Sequence, residues 1–185
     1  MLSVKAYLRA RLAAVVAASL TAILPAAAAE DVSLADLKAA TRSLGFLQNP
    51  PHSNDFVVGI VYATGSAGSK TLGQQTADRI RTLPGPKDSG LKTEIITVND
   101  LANHADRLDA LYLLPGTSAS ASAIVDMARR KHLLVISNDP ACLDQHCCML
   151  MVRDTGRVEI VMDSALAQSA GITFSSVFAM MVKHK

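Results

Sequence analysis

The sequence predicts an α/β fold: a single-domain sandwich with a mostly parallel sheet, an antiparallel C-terminal hairpin and flanking helices. Three observations predict it. Short apolar runs rich in β-branched residues recur along the chain, as in Phe56–Ala63 and His132–Ser137. Continuous apolar character over so few residues marks strands buried on both faces. Segments of helical spacing stand between these runs, and strands that alternate with helices pair in parallel. Near the C-terminus, Asp154-Thr155-Gly156 separates two further strand-like runs, and such a triplet is a hairpin turn signal.

The N-terminus reads as a cleavable leader. Lys5, Arg9 and Arg11 precede an apolar run from Leu12 to Leu24, Pro25 ends it, and Ala27-Ala28-Ala29 forms a signal-peptidase pattern before Glu30. The run is about 13 residues, shorter than the roughly 20 that a spanning helix needs. The expected division is therefore a signal peptide over 1–29 and one α/β domain over 30–185, exported to the periplasm, with no membrane span in the mature chain. Removing the leader takes three of the 18 basic residues and none of the 16 acidic ones, so the net charge moves from +2 to −1. No basic footprint remains for nucleic acid.

Each element follows from its own pattern. Ser33 is placed to cap a helix carrying Leu34, Leu37, Ala40 and Leu44 at helical spacing, with Asp36 in its first turn. Phe56–Ala63 is a strand, 64–69 a Gly/Ser loop, 70–82 a helix, 91–98 a strand, 100–108 a short helix or turn, and Ala110–Leu114 a strand. Ser118–Lys131 is a helix and His132–Ser137 a strand. Met149–Arg153 and Arg157–Met162 form the hairpin, and helices over 164–170 and 175–183 finish the chain. Val158, Ile160, Val161, Ala165, Gly171, Ile172 and Phe178 are expected to be fold determinants, with Gly171 supplying a positive φ after a short helix.

The order of these segments resembles a known family. Leu37-Lys38-Ala39-Ala40, on a helix running to Pro50-Pro51 with a strand after it, is similar to an opening "KAA…F…WP" helix. Leu114 and Ser137-Asn138-Asp139 look like a "pvLTVSD" strand end. Gly156-Arg157-Val158-Glu159-Ile160-Val161-Met162-Asp163, with Ala165, Ala170-Gly171-Ile172 and Ser175-Ser176, is similar to the closing pattern "r-v-x-F-E-I-N-l-x-A-x-x-a-G-l-x-i-S-S". The chain thus resembles the YfiR family of periplasmic regulatory proteins (DUF4154 type). It departs from the pattern in lacking the first helix's aromatics and tryptophan, and in carrying Cys147-Cys148 where many members have Gly-Gly.

The resemblance implies a non-enzymatic regulator and no cofactor. It implies binding to the periplasmic sensory domain of an inner-membrane signalling protein of the diguanylate-cyclase type, with an outer-membrane lipoprotein as a further partner. Two other functions fit the residues: a small solute-binding protein feeding a transporter or sensor, and a periplasmic metal-binding protein.

All three cysteines lie in Ala141-Cys142-Leu143-Asp144-Gln145-His146-Cys147-Cys148-Met149. In an oxidising compartment, cysteines this close tend to pair. Cys142 with Cys148, or with Cys147, would close a loop worth about 2 kcal/mol. The resemblance favours a disulfide, because some members carry a cysteine pair in this segment. Neighbouring residues entering a strand point to opposite faces, so the third cysteine is either a small buried hydrophobe or an exposed thiol able to join two chains in a homodimer. The metal reading would use Cys142, His146, Cys147 and Cys148 as thiolate and imidazole ligands.

A second candidate is an anion loop. Gly65, Gly68, Ser69, Lys70 and Thr71 follow a strand and open a helix, so backbone N–H groups and the helix dipole could hold an anion there. The spacing is not that of a P-loop. Thr117 and Ser118 follow another strand end, where open α/β sheets place ligands. The competing readings are a capped turn for the first loop and a helix cap for Thr117 and Ser118. The histidines are scattered (His52, His104, His132, His146, His184) and no serine sits in a G-x-S-x-G elbow, which argues against an enzyme.

Overall fold

The computed structural model describes residues 32–49, 55–65 and 67–185. The leader expected over 1–29 lies outside the described residues, as do Pro50-Pro51, His52 and Ser66.

The first helix, α1 (Leu34–Leu44), opens on the expected cap. The Asp36 N–H donates to Ser33 Oγ (2.9 Å), and the Ser33 N–H donates to the Asp36 carboxylate (3.1 Å). Asp36 does more than face the helix dipole. Its other oxygen accepts the Asp154 N–H at 2.6 Å, and the residue is only 3 % exposed. A first-turn acid has become a buried bridge from the first helix to the hairpin.

The strands are β1 (Asp55–Tyr62), β2 (Gly90–Thr97), β3 (Ala110–Leu113), β4 (Leu134–Ser137), β5 (Leu150–Asp154), β6 (Val158–Met162) and β7 (Lys183–His184). They form one sheet in the order β2-β1-β3-β4-β5-β6-β7. Every neighbouring pair is parallel except β5–β6, which is antiparallel. This is the α/β class the sequence predicts. Its centre is apolar throughout: Ile60, Leu111, Leu113 and Leu134 are all 0 % exposed, as strands covered on both faces require.

The remaining helices are α2 (Ala67–Arg81), α3 (Leu101–His104), α4 (Ala121–Lys131), α5 (Pro140–Asp144), α6 (Ser164–Ser169) and α7 (Ser176–Met181). The strand order reverses direction at β1, and right-handed crossovers then send α2 to one face and α4 to the other. α1 joins α2's side, packing on β5 and reaching β6. α6 joins α4's side, where Arg129 Nε donates to Ser169 Oγ at 3.0 Å.

Most boundaries shift by a residue or so from the sequence expectation, and some shift further: α2 starts at Ala67, so Gly68 and Ser69 lie on the helix and not in the loop expected over 64–69, and α5 was not expected. The helix expected over 118–131 starts with a 3-10 turn at Thr117–Ser120, and Ser118 does not cap it. That helix ends at His132, which turns left-handed (φ 53°), so the next strand begins only at Leu134. The last helix stops at Met181. Val182 is extended, and Lys183 and His184 pair with Val161 and Met162 of β6. An unpaired strand edge offers hydrogen bonds that a helical pattern read alone cannot anticipate. Gly171 has the expected positive φ, 72°. A Cβ added there would stand 3.0 Å from His132 Nδ1, which donates to the Ala170 carbonyl at 2.9 Å.

Candidate functional site

The reversal of strand order between β1 and β3 places two loops side by side at the carboxyl end of the sheet. One follows β1 and leads to α2; the other runs from Leu114 to Ser118. A Cβ on Gly116 (φ +87°) would lie 3.9 Å from the Ala63 Cβ. Gly65 also has a positive φ, 95°. Gly68, Lys70 and Thr71 are exposed in the first turns of α2, and Ser69 is half-buried. Across from them Thr117 is buried, its hydroxyl donating to the Leu114 carbonyl at 2.9 Å, and Ser118 is half-buried. The Gly116 N–H faces the Asp139 carboxylate at 3.5 Å. A carboxylate thus stands beside the second loop, whereas Lys70 stands on the helix that opens from the first.

The cysteine segment is a structural knot. Asp139 caps α5, accepting the Ala141 N–H at 2.9 Å. After α5 the left-handed His146 (φ 53°) turns the chain back. The Cys147 N–H then reaches the Cys142 carbonyl at 2.8 Å. That turn brings the two Cα atoms to 5.0 Å, and the disulfide joins Cys142 to Cys147. Cys148 is the free thiol, 0 % exposed, so it presents no surface through which two chains could join. Burial raises its pKa, and the Asp139 and Asp163 carboxylates push the same way. The thiolate is the nucleophile and metal ligand, so this cysteine is kept inert.

The four residues of the metal reading are not brought to one point. Two are spent in the disulfide, Cys148 is enclosed, and His146 turns outward with 63 % of its side chain exposed. Its Nδ1 lies 2.5 Å from Asp163 Oδ2. Asp163 is buried and also caps α6, accepting the Leu166 N–H at 2.9 Å. Lys185 Nζ donates to the Leu143 carbonyl at 2.5 Å. Cap, disulfide and lysine together tie α5, α6 and the C-terminus around the start of β5. The described histidines do not share a site: His104 pairs with Glu94, His132 with the Ala170 carbonyl, His146 with Asp163 and His184 with Ser164.

A third feature was not visible in the sequence. Between α1 and α7 lies a groove of about 520 Å³, floored by Val158 and Ile160 of β6. Ala35 and Ala39 of α1 form one wall, and Phe178 and Met181 of α7 the other. Phe46, also lining the groove, stacks on Phe178 with ring centroids 4.9 Å apart. Val158 is 45 % exposed and Met181 63 % exposed, so these residues do not complete the packed core. Val158 was expected as a fold determinant; the structure puts it on an open surface. Lys38 and Arg42 also line the groove. Read as a helical pattern, they are simply α1's solvent face, and nothing local says that a strand far along the chain opens beside them.

Comparison with known proteins gives both a family and a fold. The family model described as YfiR/HmsC-like (DUF4154) matches residues 44–181. No curated protein matches the sequence. Among solved structures, a conserved domain protein from Vibrio cholerae is similar at 14 % identity and a TM-score of 0.58, with 84 % of this chain and 61 % of that one covered. An ABC domain in complex with L-Trp from Streptococcus pneumonia is similar at 12 % identity and 0.52, covering 70 % of this chain and 54 % of its own. The ligand-free, open form of CD0873 from Clostridium difficile, a substrate binding protein with adhesive properties, is similar at 11 % identity and 0.52, with the same coverage. The chain thus spans little more than half the length of these structures, and at such identities the likeness is one of fold.

Proposed function

The chain belongs to the YfiR/HmsC-like family, and from that premise we propose that it is an exported, non-enzymatic regulator that binds the periplasmic sensory domain of an inner-membrane signalling protein. By resemblance that protein is a diguanylate cyclase, and an outer-membrane lipoprotein is a second partner. One observation carries the reading: the family match runs from the end of α1 to the end of α7 and so takes in the sheet from β1 to β6, the hairpin and the cysteine segment.

Two features support it. A disulfide at Cys142–Cys147 suits an oxidising compartment. An exposed apolar surface suits a macromolecular contact better than it suits a lone soluble domain.

The test is genetic and chemical together. Deleting the gene in the bacterium that encodes the chain should raise cellular cyclic diguanylate, and re-expression with the leader should lower it again. The protein recovered from the periplasm should begin at Glu30 and be lighter than its reduced form by the two hydrogens of one disulfide. A cyclic diguanylate level indifferent to the gene would sink the cyclase partnership. A chain that keeps its leader and stays in the cytoplasm would sink the regulator reading altogether.

A further inference from the structure

The geometry points to the groove between α1, β6 and α7 as the docking site for an amphipathic α-helix of the partner protein, one with an apolar face and carboxylates along the edge that meets α1. This deepens the regulator reading and rests on it.

The first ground is coverage. A sheet face is normally covered by helices, and α1 packs on β5 and only reaches β6. Val158 and Ile160 are left as an apolar floor between α1 and α7, as though one helix of that layer were absent. The slot is long enough for a short helix. An 11-residue wall such as α1 runs about 16 Å, or three turns.

The second ground is the backbone. A partner strand would need a free sheet edge. β7 already pairs with Val161 and Met162, so only Val158–Ile160 remain open on β6's outer side. That is too short a template for a strand. A helix needs no such pairing and uses side chains alone.

The third ground is charge. Lys38 and Arg42 are four residues apart on α1, so they face the same way, and both line the groove. No acidic residue lines it, and neither cation has a carboxylate partner among the described residues. Two like charges one turn apart disfavour each other, and a carboxylate on the incoming helix relieves both. Electrostatic complementarity of this kind sets orientation and partner choice. Met181, long and flexible, suits the apolar wall of a helix-binding groove.

The experiment uses the full chain purified from the periplasm and two fluorescent stapled helices of about three to four turns. Both carry the same leucine face; one has glutamates beside it and the other lysines. The glutamate helix should bind at least tenfold more tightly at low salt, and the gap should narrow as salt screens it. K38E/R42E should reverse the preference, and M181D should abolish binding of both helices without moving the melting temperature. Equal binding of the two helices, binding of neither, or a K38E/R42E protein with unchanged preference would overturn the proposal. So would a wild-type dimer in sedimentation that M181D dissociates, since a second copy would then be the occupant. A small apolar molecule that native mass spectrometry finds held there, and that the helix cannot displace, would overturn it as well. The cyclic diguanylate measurement does not involve the groove, so a failed helix with an intact deletion phenotype removes the docking mode and leaves the regulator standing.

Discussion

The five parallel strands and the edge added after them belong to one sheet but are buried very differently. β3 and β4 are buried at every residue, whereas β6 is exposed at Val158, half-buried through Val161 and buried only at Met162. The cause lies in the connections. A parallel neighbour can be reached only by a crossover, and each crossover lays a helix on the sheet. The β5–β6 hairpin turns through Thr155-Gly156-Arg157 with no crossover, so no helix comes with it. The parallel half therefore covers itself as it is built. The β6–β7 crossover takes α6 to α4's side and leaves α7 as one wall of the groove, so β6 keeps an open face between α1 and α7.

The largest test of this contrast is a pair of truncations. Ile60→Ala, in the centre of β1, should cost about 3 kcal/mol of unfolding free energy. Val158→Ala, on the floor of the groove, should change it by less than about 0.5 kcal/mol. Denaturant unfolding of both proteins decides it. A Val158 variant as unstable as the Ile60 one would mean that the edge belongs to the core after all.

A somewhat smaller effect asks whether the C-terminal half is nonetheless held to the rest. Gly171→Val places a β-branched side chain at φ 72° and its Cβ 3.0 Å from His132 Nδ1. It should cost about 2 kcal/mol in a single cooperative thermal transition. An unchanged melting temperature would refute the strain. Two separate transitions would show that the C-terminal layer melts by itself.

The smallest effect is a difference in sign with pH. Burial raises the pKa of Asp109, against the lowering effect of the Val57 N–H it accepts. The fold thus binds this proton more tightly than the unfolded chain does. The stability it contributes is present below the unfolded value of about 3.9 and is lost as pH rises through the raised folded value. Glu159, half-buried on β6, has the opposite shift, because the hydrogen bond and charge of Lys183 lower its pKa. Its contribution is present above its unfolded value and is lost as pH falls through the folded one. Unfolding curves of Asp109→Asn and Glu159→Gln between pH 3 and 7 should therefore diverge from wild type in opposite directions. Salt should erase only the Glu159 effect. Matching slopes would break the comparison.

Much of the fold was legible residue by residue. The apolar runs of β1, β3 and β4, the Ser33 cap, the hairpin turn and the positive φ of Gly171 are all dictated within a few neighbours, and each is present within a residue or two of where the pattern put it. The cysteine pairing was legible only to a choice of two. That Cys142 meets Cys147 depends on His146 adopting a left-handed turn, and the open position of Val158 depends on where α1 and α7 come to rest.

Hydrophobic period, caps and turn residues act over a handful of bonds, and they were enough to give most of the elements, their class and the family. Packing settled the rest: what Asp36 bridges, that Lys183 and His184 leave the last helix for the edge of β6, and that Lys38 and Arg42 line one groove with Val158 and Met181. Those are contacts between residues more than a hundred positions apart, or between an element and a hydrogen-bonding edge that exists only once the sheet has formed. No local pattern encodes which surface the finished layers leave uncovered.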